Sequence, residues 1–163
     1  MPPSAVIETV SNVPFVQHSG VELVATGPGW AIAALDQSER HTSHAGSFQG
    51  AATYAVAEAA ASLVIAGALE HPEPAMTFAI FNAAVSYERP VDGRVVANAT
   101  LTESMDRVRA RLHRDGAASF AVVVRLSDAD GADVGRAEFG CRIVFPAPAV
   151  SLPADSVETV APA

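Results

Sequence analysis

Hydrophobic side chains follow two different patterns along this chain, and the change between them predicts its architecture. Residues 51–69 are apolar at almost every position and mostly alanine, which favours a long helix enclosed by other elements. Pro72 and Pro74 predict the end of that helix. Beyond it, segments rich in Val, Ile and Phe are separated by Gly, Pro and Asp, a pattern typical of antiparallel strands.

The strands that follow the helix are expected at residues 76–87, 94–103, 105–114, 117–127 and 134–145. Within the third segment, Arg107, Arg109 and Arg111 alternate with apolar residues, which predicts a strand with one basic face. The Asp115-Gly116 pair predicts a hairpin turn, because Gly tolerates the positive φ that such turns need.

The two ends of the chain are expected to lie outside the folded domain. Residues 1–13 are predicted to form a flexible arm, and the Pro- and Ala-rich residues 146–163 a disordered tail. Between them, residues 14–18 predict a short helix that ends at Gly20. Residues 21–35 predict extended chain with a turn at 27–29. The sequence therefore predicts one α+β domain over residues 14–145, in which a curved antiparallel sheet wraps around the Ala-rich helix.

The composition and charge of the chain argue against several classes of function. With 163 residues, 50% of them hydrophobic, and a mean hydropathy of +0.26, the chain is not a disordered one. A formal net charge of −8 argues against binding to nucleic acid. The single cysteine, Cys141, suits a reducing compartment, so a cytoplasmic protein is expected. Closely spaced Cys and His residues are missing, so no metal is expected.

The Ala-rich segment is nearly long enough to cross a membrane. Its residues are mostly Ala rather than Leu, Glu58 stands near its middle, and basic flanking residues are missing. These features favour a core helix, so no contact with a membrane is expected. The first residues also lack the pattern of a signal peptide.

Three stretches carry a resemblance to a known family. Residues 43–60 contain Ser43-His44-Ala45-Gly46-Ser47-Phe48-Gln49-Gly50, followed by the helix with Val56-Ala57-Glu58. Residues 85–91 end a strand with Tyr87 and Arg89-Pro90, and residues 126–131 precede the last strand. In order and spacing they resemble the hotdog-fold thioesterases of the phenylacetic-acid-degradation type and their uncharacterised DUF4442-like relatives. The resemblance implies a hotdog fold from about Phe15 to Phe145.

The resemblance also implies catalytic roles for three residues. The amide of Gly50, at the start of the helix, polarises the thioester carbonyl, because the first N–H groups of a helix are unpaired and carry partial positive charge. Glu58 acts as general base or as nucleophile. Gln49 stands where the family has His, and its amide can donate a hydrogen bond but cannot take a proton. Ser43 stands where the family has Asn.

Five further residues are predicted to contact the substrate: His44, Ser47, Phe48, Tyr54 and Ser62. Ser62 follows Glu58 by one helical turn and shares its face. Each site residue weighed on its own has a purely structural alternative. Glu58 can be neutralised by a buried partner, Gly50 and Gln49 can serve only the helix entry, Tyr54 and Ser62 can be packing residues, and His44 can be a loop residue.

The resemblance implies an acyl-CoA thioesterase with coenzyme A as part of the substrate and no separate cofactor. It also implies a homodimer, or a dimer of dimers, in which Gly50 of one subunit and Glu58 of the other share a site. Open sheet edges favour such pairing. The arginines of residues 107–111 either meet the phosphates of coenzyme A or form a solvated strand face.

Two other functions remain open at this point. One is a non-catalytic acyl-CoA or fatty-acyl binding protein of the same fold, since Gln49 replaces the imidazole. The other is an acyl-thioester dehydratase. That activity requires a His on the helix, and residues 49–69 contain none.

Overall fold

One antiparallel sheet and one long helix account for most of the fold. The computed structural model describes residues 3–68 and 76–145. The α-helices of this part of the chain are α1 (Pro3–Ser11), α2 (Pro14–Ser19), α3 (Gly50–Ala68) and α4 (Met105–Asp115). Its strands are β1 (Glu22–Gly27), β2 (Trp30–Asp36), β3 (Thr77–Tyr87), β4 (Arg94–Leu101), β5 (Ala117–Asp128) and β6 (Asp133–Val144).

The sheet has the order β1-β2-β4-β5-β6-β3, and every neighbouring pair is antiparallel. Helix α3 packs against all six strands, which requires the sheet to curve around it. On this helix Ala57, Ala60 and Ala61 are fully buried, because small side chains let the curved sheet approach closely. The predicted α+β architecture, with a sheet wrapped around an Ala-rich helix, is confirmed.

The N-terminal residues differ from the prediction. Residues 3–11 form helix α1 rather than a flexible arm, and this helix packs against α3 and β1. Val6 and Val10 lie four positions apart on one face and are buried there. The folded domain therefore begins before residue 14. The predicted tail, residues 146–163, lies outside the described residues.

A second difference concerns residues 105–115. They form helix α4 instead of a strand, so the predicted hairpin turn at Asp115-Gly116 is also wrong. Met105, Val108 and Leu112 are buried at helical spacing. Gly116 does adopt positive φ, at 71°, but it ends the helix, and its N–H donates to the Leu112 carbonyl.

The helix also corrects the expected basic face. On a helix Arg107 and Arg111, four positions apart, share one face, whereas Arg109 points to another side, so the three do not form one row. Arg111 donates two hydrogen bonds of 2.6 Å to the Glu103 carboxylate. Its charge is thereby neutralised within the chain.

Helix α3 also accounts for the membrane-like composition of its segment. By length and hydropathy residues 50–67 could cross a membrane, but 61% of that segment is buried within the protein. A core helix enclosed by a sheet has this composition for the same reason: its side chains avoid water.

Candidate active site

The first turn of α3 presents an unpaired backbone amide. The Gln49 carbonyl accepts hydrogen bonds from the amides of Ala52 (2.9 Å) and Thr53 (3.1 Å) and so begins the helix. Among the described residues, no acceptor is recorded for the Gly50 N–H. This amide, at the positive end of the helix dipole, can donate to an incoming carbonyl oxygen. The Gln49 side chain is exposed beside it.

Tyr87, at the end of β3, holds the start of the helix. Its hydroxyl donates a 3.0 Å hydrogen bond to the Gly50 carbonyl. A Cβ atom on Gly50 would lie 3.4–3.5 Å from the tyrosine ring and its hydroxyl, which is close van der Waals contact. Tyr87 therefore packs directly against the first residue of the helix.

A small hairpin leads into the helix and carries several of the predicted substrate contacts. The Ser43 amide donates to the Ser47 carbonyl at 2.7 Å, and Thr42 pairs with Phe48. His44 is exposed at the tip. Ser47 and Phe48 line a groove of about 360 Å³ together with Gly50, which we call the Gly50 groove. Phe48 is itself 7% exposed, so only its edge reaches the groove.

Gln37 fastens this hairpin to the rest of the protein. Its side-chain nitrogen donates to Thr42 Oγ1 (3.2 Å) and to the Gly46 carbonyl (2.7 Å). Its side-chain oxygen accepts a 2.8 Å hydrogen bond from the Gly93 amide. One amide group therefore joins the hairpin to the turn before β4.

We expect Gln37→Ala to lower the free energy of unfolding by about 1–2 kcal/mol, because three partly exposed hydrogen bonds are lost together. Urea denaturation measures the change. Gln17→Ala is the matched control: Gln17 is exposed on α2, and its replacement should stay within about 0.5 kcal/mol of the wild type. An equal effect of the two substitutions would contradict the anchoring role of Gln37.

Glu58 lies in a second recess, on the open side of α3. A pocket of about 250 Å³, which we call the Glu58 pocket, is lined from α3 by Ala55, Glu58, Ala59 and Ser62. Residues 13–19 close the other side with Val13, Phe15, Val16 and Ser19. The structure thus brings Ser62 and Glu58 together, as predicted from their spacing.

The carboxylate of Glu58 is half-buried and has no recorded hydrogen bond or ion pair within the described part of the chain. Burial raises the pKa of this carboxyl above its usual value. The alternative in which an Arg or another buried group neutralises Glu58 therefore has no support among these residues. An unpaired carboxylate of raised pKa is a suitable proton acceptor near neutral pH.

Tyr54 precedes Glu58 by one turn and packs against the core. Its ring lies 5.8 Å from that of Phe139 at an angle of 59°. Burial, and then the nearby acidic groups of Glu58 and Tyr87, raise the pKa of the Tyr54 phenol. Tyr54 thus combines core packing with a position close to Glu58.

The Gly50 amide and the Glu58 carboxylate lie in separate recesses of one chain. The Gly50 groove and the Glu58 pocket have no lining residue in common. Glu58 follows Gly50 by eight positions, which corresponds to a rise of about 12 Å along the helix axis. A reacting carbonyl must lie about 3 Å from both its donor and its attacking group. A carbonyl bound in either recess of one protomer is therefore lined by only one of the two groups.

Comparison with protein families decides where the chain belongs. The model of a family described as a domain of unknown function, DUF4442, matches residues 5–143. The chain belongs to the DUF4442 family. No curated protein has a matching sequence.

Solved structures similar to this DUF4442 protein identify its fold. A probable thioesterase from Pseudomonas aeruginosa is 18% identical with a TM-score of 0.75, and the match covers 88% of this chain and 96% of that one. A thioesterase from Haemophilus influenzae is 20% identical with a TM-score of 0.69, over 89% and 92% of the two chains. A protein of unknown function from Chlorobaculum tepidum is 14% identical with a TM-score of 0.76, over 88% and 94%. The fold is the hotdog fold, as predicted.

Sequence reasoning missed three residues that shape the site of this DUF4442 protein. Tyr87 appeared only as part of a strand-end motif, and Gln37 and His41 had no role. His41 is 8% exposed, and its Nδ1 lies 3.0 Å from Ser38 Oγ and 3.2 Å from the Asp36 carbonyl. Its backbone carbonyl accepts the Gln49 amide at 2.7 Å. The Tyr87 contact joins residues 37 positions apart, which the local sequence pattern does not show.

Proposed function

We propose that the protein hydrolyses acyl-CoA thioesters at a site formed by two copies of the chain. The observation that carries the proposal is the separation of an unpaired helix amide, at Gly50, from an unpartnered carboxylate, at Glu58. In a homodimer the Gly50 amide of one protomer meets the carboxylate of the other. The thioesterase names of the similar solved structures agree with this activity.

The edge of the sheet supports the dimer. Strand β3 is eleven residues long, and apart from Ile80 and Val85 its residues are exposed, with Phe78 48% and Phe81 64% accessible. A long apolar edge strand of this kind invites pairing with another strand. The opposite edge, β1, has six residues and a register shift between Leu23 and Ala25, and both features discourage pairing. We infer that two β3 strands meet in the dimer.

Hydrolysis of the thioester needs a hydrogen-bond donor for the carbonyl oxygen and a group that activates water or attacks the carbonyl carbon. The Gly50 amide donates to the thioester oxygen and stabilises the negative charge that develops there. Glu58 takes a proton from the attacking water, or attacks the carbonyl carbon itself and forms an anhydride that water then opens. In either route the carbon–sulfur bond breaks, the thiolate of coenzyme A leaves and gains a proton, and the carboxylate is restored. Gln49, exposed next to Gly50, can add a second hydrogen bond to the oxygen.

The first test is the release of thiol from a panel of acyl-CoAs. We expect the wild-type dimer to release coenzyme A from at least one class of short, long or aromatic thioester, with saturation kinetics. Binding without release from any thioester would contradict the proposal. That result would favour the non-catalytic acyl-CoA binding protein, which the replacement of the family His by Gln49 also allows.

A further inference from the structure

The Glu58 pocket contains more than a reactive carboxylate. We propose that it binds the acyl group of the substrate and accepts acyl groups of up to about ten carbon atoms. The inference rests on the proposed function in one respect: Glu58 is taken as the group that meets the thioester carbonyl. From that point the acyl group extends along the pocket of the same protomer.

The lining of the pocket suits an apolar group. Apart from Glu58 its side chains are Ala, Val, Phe and Ser, so no further charge is available to bind a polar or ionic substituent. The small side chains of Ala55, Ala59 and Ser62 leave the space next to α3 open. Val13, Phe15 and Val16 provide an apolar wall on the opposite side. An alkyl or aryl group placed there exchanges water for apolar contacts.

The volume sets the size of that group. An apolar cavity of about 150 Å³ holds one benzene ring, which has six carbon atoms. In proportion, the 250 Å³ of the Glu58 pocket hold about ten carbon atoms. Pockets for drug-sized ligands begin at about 300 Å³, so a long fatty-acyl chain would not fit inside.

Phe15 and Val13 form the mouth of the pocket. They are 60% and 46% exposed, whereas Val16, which lies with Phe15 on α2, is buried. The pocket is therefore open to solvent on the side of α2. A chain longer than the pocket would emerge past these two side chains and gain little further binding.

The test uses S-alkyl-CoA thioethers of two to sixteen carbons, which bind but cannot be hydrolysed. Titration calorimetry on the full-length wild-type protein should show affinity rising about fourfold per methylene, up to about ten carbons, and then levelling off. Ser62→Leu adds two heavy atoms to the lining of the Glu58 pocket. The affinity of this variant for the thioethers should therefore level off at about eight carbons. Ala66→Leu is the matched control: Ala66 lies one turn further on, outside the pocket lining, and its replacement should leave the limit unchanged.

A second pair of variants tests the mouth without changing the helix core. Phe15→Ala should weaken binding of the ten-carbon thioether about fivefold and leave the two-carbon thioether unchanged, because only the longer chain reaches Phe15. Val24→Ala, at a valine on β1 that is 45% exposed and lies outside the pocket lining, should change neither. Both substituted side chains are largely exposed, so the variants are expected to fold.

Three results would overturn the inference: affinity that rises steadily to sixteen carbons, a limit that Ser62→Leu does not move, or equal effects of Phe15→Ala and Val24→Ala. The proposed function fails in a different way. If the thioethers show the ten-carbon limit but no thioester is hydrolysed, the pocket stands and the thioesterase does not. If hydrolysis depends on Glu58 but shows no chain-length limit, the thioesterase stands and this pocket assignment does not.

Discussion

Exchanging Glu58 for Gln is expected to lower kcat for thioester hydrolysis by about 10²–10⁴-fold, the usual contribution of a positioned acid or base. The amide has nearly the shape of the carboxyl group but neither accepts a proton nor attacks a carbonyl carbon. Because the side chain lines the pocket without a recorded partner in the described residues, little else changes. Thiol release at saturating acyl-CoA measures the loss, and KM should change much less.

The pH profile gives an independent test of the same residue. Burial raises the pKa of Glu58, and the reactive form is the carboxylate. Activity should therefore fall with decreasing pH through a pKa that lies above that of an ordinary glutamate. The residual activity of Glu58→Gln should lack this acid limb. If the activity of the variant still fell at acidic pH in the same way, the pH dependence would belong to another group.

Stability distinguishes a lost reaction from a lost fold. Since the pKa of Glu58 is higher in the folded protein, the folded state binds this proton more tightly than the unfolded state does. Its contribution to stability therefore decreases as pH rises through the interval between the two pKa values. At pH 7 Glu58→Gln should be at least as stable as the wild type, and at acidic pH the advantage should vanish. Wild-type activity in a folded variant would contradict the catalytic role of Glu58.

Most of the architecture follows from the sequence because its signals are local. Helix α3 is mostly apolar over its nineteen residues, and the turns between neighbouring strands contain Gly, Pro and Asp. Helix α4 was missed because Val108 and Leu112, four positions apart, fit both strand alternation and a helix face. The spacing from Met105 to Val108, three positions, decides for the helix once a core is available. Helix α1 likewise depends on tertiary contacts, since just Val6 and Val10 are buried.

Less of the candidate site than of the fold can be predicted from the sequence. Gly50, Glu58 and Ser62 are predicted as site residues because a short motif and the helical period place them. The distance between the Gly50 groove and the Glu58 pocket depends on which sides of α3 the sheet and α2 leave open. That arrangement involves residues far apart in the chain, so a pattern of neighbouring residues does not show it. The same limit explains why Gln37, which joins Gly46 and Gly93, had no assigned role.

The double substitution Phe78→Glu with Phe81→Glu is expected to convert the protein to a monomer and to reduce hydrolysis at least 10²-fold. Both side chains are exposed on β3, and in a pair of β3 strands the added carboxylates of the two copies would repel each other. Separated protomers would keep the Gly50 amide and the Glu58 carboxylate apart, so each protomer would lose one of the two groups that the reaction needs. Light scattering after size-exclusion chromatography measures the mass, and thiol release measures the activity.

Val24→Glu is the matched control, because Val24 is 45% exposed on β1, the opposite edge of the same sheet. It adds one carboxylate to an edge strand, where the β3 variant adds two, and should leave both the dimer and its activity intact. A monomer with wild-type kcat would show that one protomer holds a complete site, which would refute the shared site. Loss of the dimer in both variants would mean that added charge, rather than its place on β3, separates the protomers. Dissociation and inactivity in the β3 variant alone would tie the reaction to the meeting of Gly50 from one copy with the carboxylate of the other.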